Sequence, residues 1–290
     1  MTPRRLFATC LMLCGLGGCT GSPVDPVAPD SDALPNAGPR LYVIDCGRIE
    51  LTSVDAFGLT NKQTPVRSLF VPCYLIEHAE GRLLFDLGLP LDIAGKGKVE
   101  YQPGAYMQQD LDLAAQLNTL GLTPDDIDLI SISHAHFDHV GAANAFPNAR
   151  VVLQRAEYEA AFVQPEAFQV YVPELYAGLR SSEFQLLDGD HDLFGDGSVQ
   201  FVATPGHTPG HQALLVNLQT YGPILLSGDL YHFAESRALQ SVPVFNTDRA
   251  QTLASMKKVE QLLQTTGATL WIEHNLVLAA SLEQAPAYYD

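Results

Sequence analysis

Basic side chains are scarce in this chain. Its 290 residues carry 16 Lys and Arg against 33 Asp and Glu, a formal net charge of −17. That deficit argues against nucleic acid and anionic substrates as partners, because long-range repulsion slows their approach, and it disfavours phosphodiester cleavage for the same reason. A membrane-spanning run is also missing. The N-terminal apolar stretch from Leu6 to Leu16 falls well short of the roughly 20 residues that a spanning helix needs. No G-x-S-x-G elbow occurs, so an activated serine on a strand-to-helix turn is excluded as the nucleophile. No internal repeat or low-complexity run interrupts the chain beyond residue 40, and the roughly 250 residues there suit one large α/β domain with a sizeable core. Cysteine is sparse too. Of five, Cys10, Cys14 and Cys19 fall at the N-terminus, while Cys46 and Cys73 sit in apolar, strand-like stretches. The last two read as buried free thiols in preference to a disulfide.

The N-terminus reads as a targeting segment. Arg4 and Arg5 form a basic region, Leu6–Leu16 an apolar one, and Leu16-Gly-Gly-Cys19 a small-residue cleavage site. This pattern predicts a signal peptide over residues 1–18 and resembles a bacterial lipobox, with Cys19 the lipidated first residue of the mature chain. An ordinary secretory peptide is the alternative. Thr20 favours outer-membrane over inner-membrane retention. Residues 19–39 hold Pro23, Pro26, Pro29, Pro35 and Pro39 among small and polar residues, and predict a lipid-anchored disordered tether. The expected location is therefore exported, as an outer-membrane lipoprotein or in the periplasm, with the catalytic domain over residues 40–290.

What the chain does have is Ser133-His-Ala-His-Phe-Asp-His139. His134, His136, Asp138 and His139 place four metal-binding side chains within six positions. The apolar run Ile127, Leu129, Ile130, Ile132 reads as a buried strand delivering them. In extended backbone His134 and His136 point the same way and can pinch one cation, while the adjacent Asp138 and His139 diverge, as a second cation requires. Further candidates follow apolar runs downstream: His207 in Thr204-Pro-Gly-His-Thr-Pro-Gly-His211, Asp229 in Ser227-Gly-Asp229, and His274 in Trp271-Ile-Glu-His274. Ligands at the ends of several strands can converge on one edge of a sheet, where the backbone holds them rigidly.

This ordered set resembles the metallo-β-lactamase superfamily, and within it the dinuclear hydrolases with the pattern H-x-H-x-D-H … H … D … H. The resemblance covers most of residues 40–280. It implies a four-layer αβ/βα sandwich of the α/β class and two divalent metal ions, Zn2+ in first place. His134, His136 and His207 would hold metal one, and Asp138, His139 and His274 metal two, with Asp229 bridging both. Arg82-Leu-Leu-Phe-Asp-Leu-Gly88 resembles the superfamily's strand ending in Asp-x-Gly, so Asp86 either orients a metal-bound histidine or caps a turn.

Three details narrow the activity that the resemblance implies. β-Lactamases of the superfamily generally lack the bridging carboxylate that Asp229 supplies. The flavodiiron pattern has Glu where this chain has His136. The Pro-Gly-His-Thr-Pro-Gly-His motif and the Asp229-to-His274 spacing are most similar to the N-acyl-homoserine lactone lactonases. These open a lactone ring with a metal-bridging hydroxide, a quorum-quenching reaction, and Asp138 would pass a proton to the leaving group. A broader carboxylester, thioester or organophosphate hydrolase is the alternative. A lipid-anchored protein that binds metal without catalysis is a third reading, disfavoured because structural zinc sites are closed cages of Cys and His. The small-molecule substrate is thus an acyl lactone or ester, and the oligomeric state stays open, a homodimer included.

The chain departs from the lactonases in one place. They often carry Tyr three residues after the bridging Asp, hydrogen-bonded to the substrate carbonyl; here that position is His232, and Tyr231 comes one residue early. Either residue is a candidate catalytic donor, with lining the turn as the alternative. Phe137, Phe233 and Phe245 are candidates for an apolar wall along an acyl chain. Residues 95–109, which combine Gly, Pro and aromatics without periodicity, read as a loop over the pocket or a surface connector. Phe168, Tyr171 and Tyr176 either wall the pocket or pack onto the core.

Overall fold

Alternation along the first half of the first strand already sorts the molecule into layers. In β1 (Arg40–Leu51), Leu41 and Val43 face one core while Tyr42 and Ile44 face another. A strand buried on both faces needs a partner layer on each side. The computed structural model describes residues 38–168 and 170–290. The expected signal peptide, Cys19 and nearly all of the expected tether lie outside the described residues.

β1 continues into β2 (Ser68–His78), β3 (Gly81–Phe85), β4 (Val99–Gln102), β5 (Ala105–Gln108), β6 (Leu129–Ser131), β7 (Arg150–Gln154) and β8 (Phe184–Leu187). These eight form one sheet in the order β4-β5-β1-β2-β3-β6-β7-β8. A second sheet has the order β13-β12-β11-β10-β9, from β9 (His191–Asp192), β10 (Val199–Ala203), β11 (Gln212–Leu218), β12 (Gly222–Leu226) and β13 (Thr269–Trp271). Between the sheets lie Leu41, Val43, Phe85, Phe201, Leu214, Leu226 and Trp271.

Helices cover the outer faces. Against the larger sheet, α1 (Leu113–Thr119) buries Leu113 and Leu117, while α2 (Phe137–Val140) and α3 (Arg155–Tyr158) are single turns following strands. After β12, α4 (Ala234–Leu239) leads to α5 (Arg249–Thr266). The Asp248 carboxylate caps α5 by accepting from the N–H groups of Ala250 and Gln251. Met256, Val259 and Leu263 of α5 are buried against the smaller sheet beside Val202, Leu215 and Leu225. A short α6 (Leu276–Ala279) follows the last strand. Helix, sheet, sheet, helix is the four-layer α/β sandwich expected from the resemblance. Among the described residues, no helix is long and apolar enough to cross a membrane.

Two expectations are corrected. Cys46 and Cys73 are not free thiols: they form a disulfide with a Cα–Cα distance of 5.8 Å. The cause is a bulge in β1 between Asp45 and Arg48, which shifts its register on β2 just after Ile44 pairs with Cys73. Gly88 makes the room, since a Cβ there would lie 2.4 Å from that of Cys46. Residues 95–109 are not an irregular loop. Within them, Val99–Gln102 and Ala105–Gln108 form the β4–β5 hairpin at the sheet edge, short strands in which Val99, Tyr101, Ala105 and Met107 are the more buried positions.

Candidate metal centre

The site is built where strand ends of both sheets meet. β6 delivers His134 and His136, and the first turn of α2 carries Asp138 and His139. His207 lies between β10 and β11, Asp229 just beyond β12 and His274 just beyond β13. These ligand candidates are each at most 7% exposed.

They fall into two groups. His207 Nε2 lies 3.1 Å from both His134 Nε2 and His136 Nδ1, and His134, His136, His207 and Asp229 form one cluster of donor atoms. Asp138, His139 and His274 form the other. Asp229 spans them: Oδ2 is 3.1 Å from His207 Nε2 and 3.5 Å from His134 Nε2, while Oδ1 is 2.8 Å from His274 Nε2 and 3.4 Å from His139 Nε2. Although Oδ1 and His274 Nε2 are that close, neither makes a hydrogen bond, and His139 Nε2 makes none either. Buried lone pairs facing a common point without a donor among them suit a cation, and the mix of imidazole and carboxylate suits divalent ions.

The outer ring nitrogens show why the inner ones are free. His139 Nδ1 faces Asp86 Oδ2 at 3.0 Å, His207 Nδ1 faces Asn246 Oδ1 at 2.9 Å, and His274 Nδ1 faces the Phe70 carbonyl at 2.6 Å. Each partner accepts a hydrogen bond from Nδ1–H, which keeps the proton on that nitrogen and leaves Nε2 as the candidate ligand. Asp86 thus has the orienting geometry; its other oxygen accepts from the Ser133 N–H at 2.6 Å. Burial pushes His134 and His136 well below the ordinary imidazole range, keeping them neutral. For His139 burial acts the same way, but Asp229, Asp86 and Asp138 outweigh it and its pKa rises. The field that would hold a proton there is equally suited to a metal ion.

Four surrounding residues escaped the sequence reading. His211, the second histidine of the Pro-Gly-His repeat, accepts the Asp229 N–H on Nε2 at 2.9 Å, and burial pushes its pKa down to about 3. Asn246 holds His207. Glu273 is buried with Oε1 3.7 Å from His139 Nδ1, and burial, then neighbouring Asp86, raises its pKa. Glu157 ties two ligand loops together. Only His211 carried a signal in the sequence, the repeated Pro-Gly-His.

Tyr231 and His232 part company. Tyr231 has extended backbone, so neighbouring side chains diverge. The Tyr231 side chain turns into the core beside α5, where its hydroxyl donates to Glu260 at 3.1 Å. That placement corrects its candidacy as a substrate donor. The His232 side chain turns the other way, with Nε2 3.0 Å from Asp229 Oδ2.

A cavity of about 680 Å³ opens over the ligand candidates. Asp138, Asp229, His232 and His274 form its floor, with walls that include Ile49, Leu51, Leu69, Phe137, Val170 and Phe245. The turn of the β4–β5 hairpin, at Gln102–Gly104, contributes to the rim. Phe233 is absent from this lining; it packs in the core, edge-on to Phe57. Tyr171 and Tyr176 are also buried, and Phe168 packs against Tyr171, so all three belong to packing.

The profile described as the metallo-beta-lactamase superfamily matches residues 66–266. The chain belongs to that superfamily. It is 33% identical to the N-acyl homoserine lactonase AttM of Azorhizobium caulinodans, over 87% of this chain and 98% of the relative. It is 32% identical to the N-acyl homoserine lactonase AiiA of Bacillus thuringiensis subsp. kurstaki, over 86% and 98%. Among solved structures it superimposes with a TM-score of 0.74 at 28% identity on an N-acyl homoserine lactone hydrolase with N-hexanoyl-L-homoserine bound at the catalytic metal centre. That match covers 87% of this chain and all of the other.

Proposed function

We propose that the protein hydrolyses the lactone ring of N-acyl homoserine lactones, with two zinc ions held by the seven ligand residues. The observation that carries this reading is Asp229, one oxygen turned to each ligand cluster at the floor of a cavity walled by apolar side chains. The lactonase relatives support the choice of substrate. Two divalent ions in such a site lower the pKa of water toward neutrality and polarise a carbonyl.

The chain's own residues supply the rest. Phe137, Phe245, Ile49, Leu51 and Leu69 take the acyl chain and shield it from water. His232 places its Nε2 at the rim of the His134–His136–His207 cluster, 3.0 Å from the Asp229 oxygen on that side. The Nε2–H faces that oxygen here; with Asp229 Oδ2 engaged by a metal it would be free to donate to the carbonyl oxygen of a lactone and steady the charge that develops there. Asp138 lines the cavity and belongs to the second cluster, with Oδ2 3.7 Å from His274 Nε2. It is placed to take the proton that the attacking water gives up and to pass it to the ring oxygen as the C–O bond breaks.

The Cys46–Cys73 disulfide supports an exported protein, since such bonds persist in oxidising compartments. With the lipobox-like Leu16-Gly-Gly-Cys19, the favoured form is an outer-membrane lipoprotein anchored at Cys19. The deciding experiment offers the zinc-loaded protein a panel of acyl homoserine lactones, thioesters, phosphotriesters and simple esters and measures acid release. Efficient turnover of esters with none of the lactones would overturn the reading.

A further inference from the structure

We infer that Glu157 is a positioning residue for the first metal: its carboxylate clamps the His134–His136 arm to the His207 arm. Glu157 sits in α3, fully buried, and touches no ligand side chain in this role. Its two oxygens take four hydrogen bonds. Oε1 accepts from the Ala135 N–H at 2.9 Å and from the Tyr171 hydroxyl at 3.1 Å. Oε2 accepts from the Thr208 hydroxyl at 2.7 Å and from the Gly210 N–H at 3.0 Å.

The identity of those donors gives the clamp its meaning. Ala135 lies between His134 and His136, and Thr208 directly follows His207. One carboxylate therefore grips both arms of the cluster, one oxygen to each, across 71 residues of sequence between His136 and His207. The contact is close enough to restrict the sequence: a Cβ on Gly210 would lie 2.1 Å from the Glu157 nitrogen. A buried carboxylate is costly unless its lone pairs are filled, and here burial raises the pKa while all four donors oppose it. An apolar side chain would fill the same space, but it would leave two ligand loops without an anchor for their N–H groups. Oε1 extends the clamp to Tyr171, whose neighbours Val170 and Val172 line the cavity.

Asp86, on His139, belongs to the second cluster, so the two carboxylates act on different metals. The inference rests on the two-metal reading of the site and is independent of which substrate is cleaved. The experiment measures metal binding by chelator competition and Co2+ absorption on the full chain, with thermal unfolding of the metal-free protein alongside. Glu157→Gln keeps one acceptor oxygen and turns an NH2 group on the donors that the other held. It should weaken one of the two sites by roughly ten- to a hundredfold and leave the other unchanged, the range seen when groups behind metal ligands are altered.

Two sites of wild-type affinity would overturn the proposal. So would two sites weakened alike together with a lower Tm of the metal-free protein, because that pattern marks a role in folding alone. Should Glu157→Gln not fold, Thr208→Val carries the test, since it removes one donor from the His207 arm. It should weaken the same single site by at least about threefold, and unchanged affinity would overturn the clamp. A wild-type protein that takes up no divalent metal would count against the two-metal reading itself, whereas selective loss of one metal in the variant supports the clamp whatever the substrate.

Discussion

Exchanging the two neighbours Tyr231 and His232 for smaller side chains separates their roles. In Tyr231→Phe the hydroxyl that donates to Glu260 is lost, yet Glu260 keeps both contacts to Arg237, at 2.7 and 2.8 Å. The loss is one part-buried hydrogen bond, about 1 kcal/mol of folding stability. Lactone kcat/KM should stay within about twofold of wild type. His232→Ala removes an N–H at the first metal cluster, in a ring held edge-on by Phe57 at 4.9 Å and beside His274 at 5.6 Å. The substrate carbonyl would then keep only its polarisation by metal, and kcat/KM should fall at least about tenfold, about 1.4 kcal/mol of transition-state stabilisation. The assay follows acid release from an acyl homoserine lactone at saturating metal, with elemental analysis of each variant, because His232 also contacts Asp229. Wild-type efficiency in His232→Ala refutes the reasoning, as does a tenfold loss in Tyr231→Phe with metal content intact.

Asp229→Ala should lose both ions, since one oxygen faces each cluster; elemental analysis that finds one ion tightly retained would contradict the bridge. Replacing Cys46 and Cys73 together by Ser should lower stability by about 3.5 kcal/mol, the magnitude that closing a loop of their 27-residue separation implies, and denaturant unfolding with and without reductant measures it. Cys19→Ser should release the protein from membranes or block its processing, and fractionation showing unchanged membrane retention would rule out the anchor.

The candidate metal ligands were legible in part because four of them, His134, His136, Asp138 and His139, lie within six positions of the sequence; His207, Asp229 and His274 each follow an apolar run and were picked out by the ordered pattern of the resemblance. The four layers were expected from the resemblance; of the faces themselves, the Met256–Val259–Leu263 stripe on α5 is legible by its helical spacing, whereas the continuous apolar run of β1 does not show that its two faces meet different layers. Three features depended on contacts between distant segments. A bulge in β1 decided that Cys46 meets Cys73, and no spacing in the chain announces a register shift. The turn after β12 decided that His232 faces the cavity while Tyr231 faces α5, an outcome that one residue's dihedral angles reverse. Glu157 reads in the chain as an ordinary helical glutamate, and only packing of α3 against the Thr208–Gly210 turn turns it into a buried acceptor of four hydrogen bonds. Local pattern therefore marked the candidate ligand residues, the resemblance divided them between two metals, and tertiary packing decided how those side chains are held, because orientation is a property of neighbours that the chain brings together only on folding.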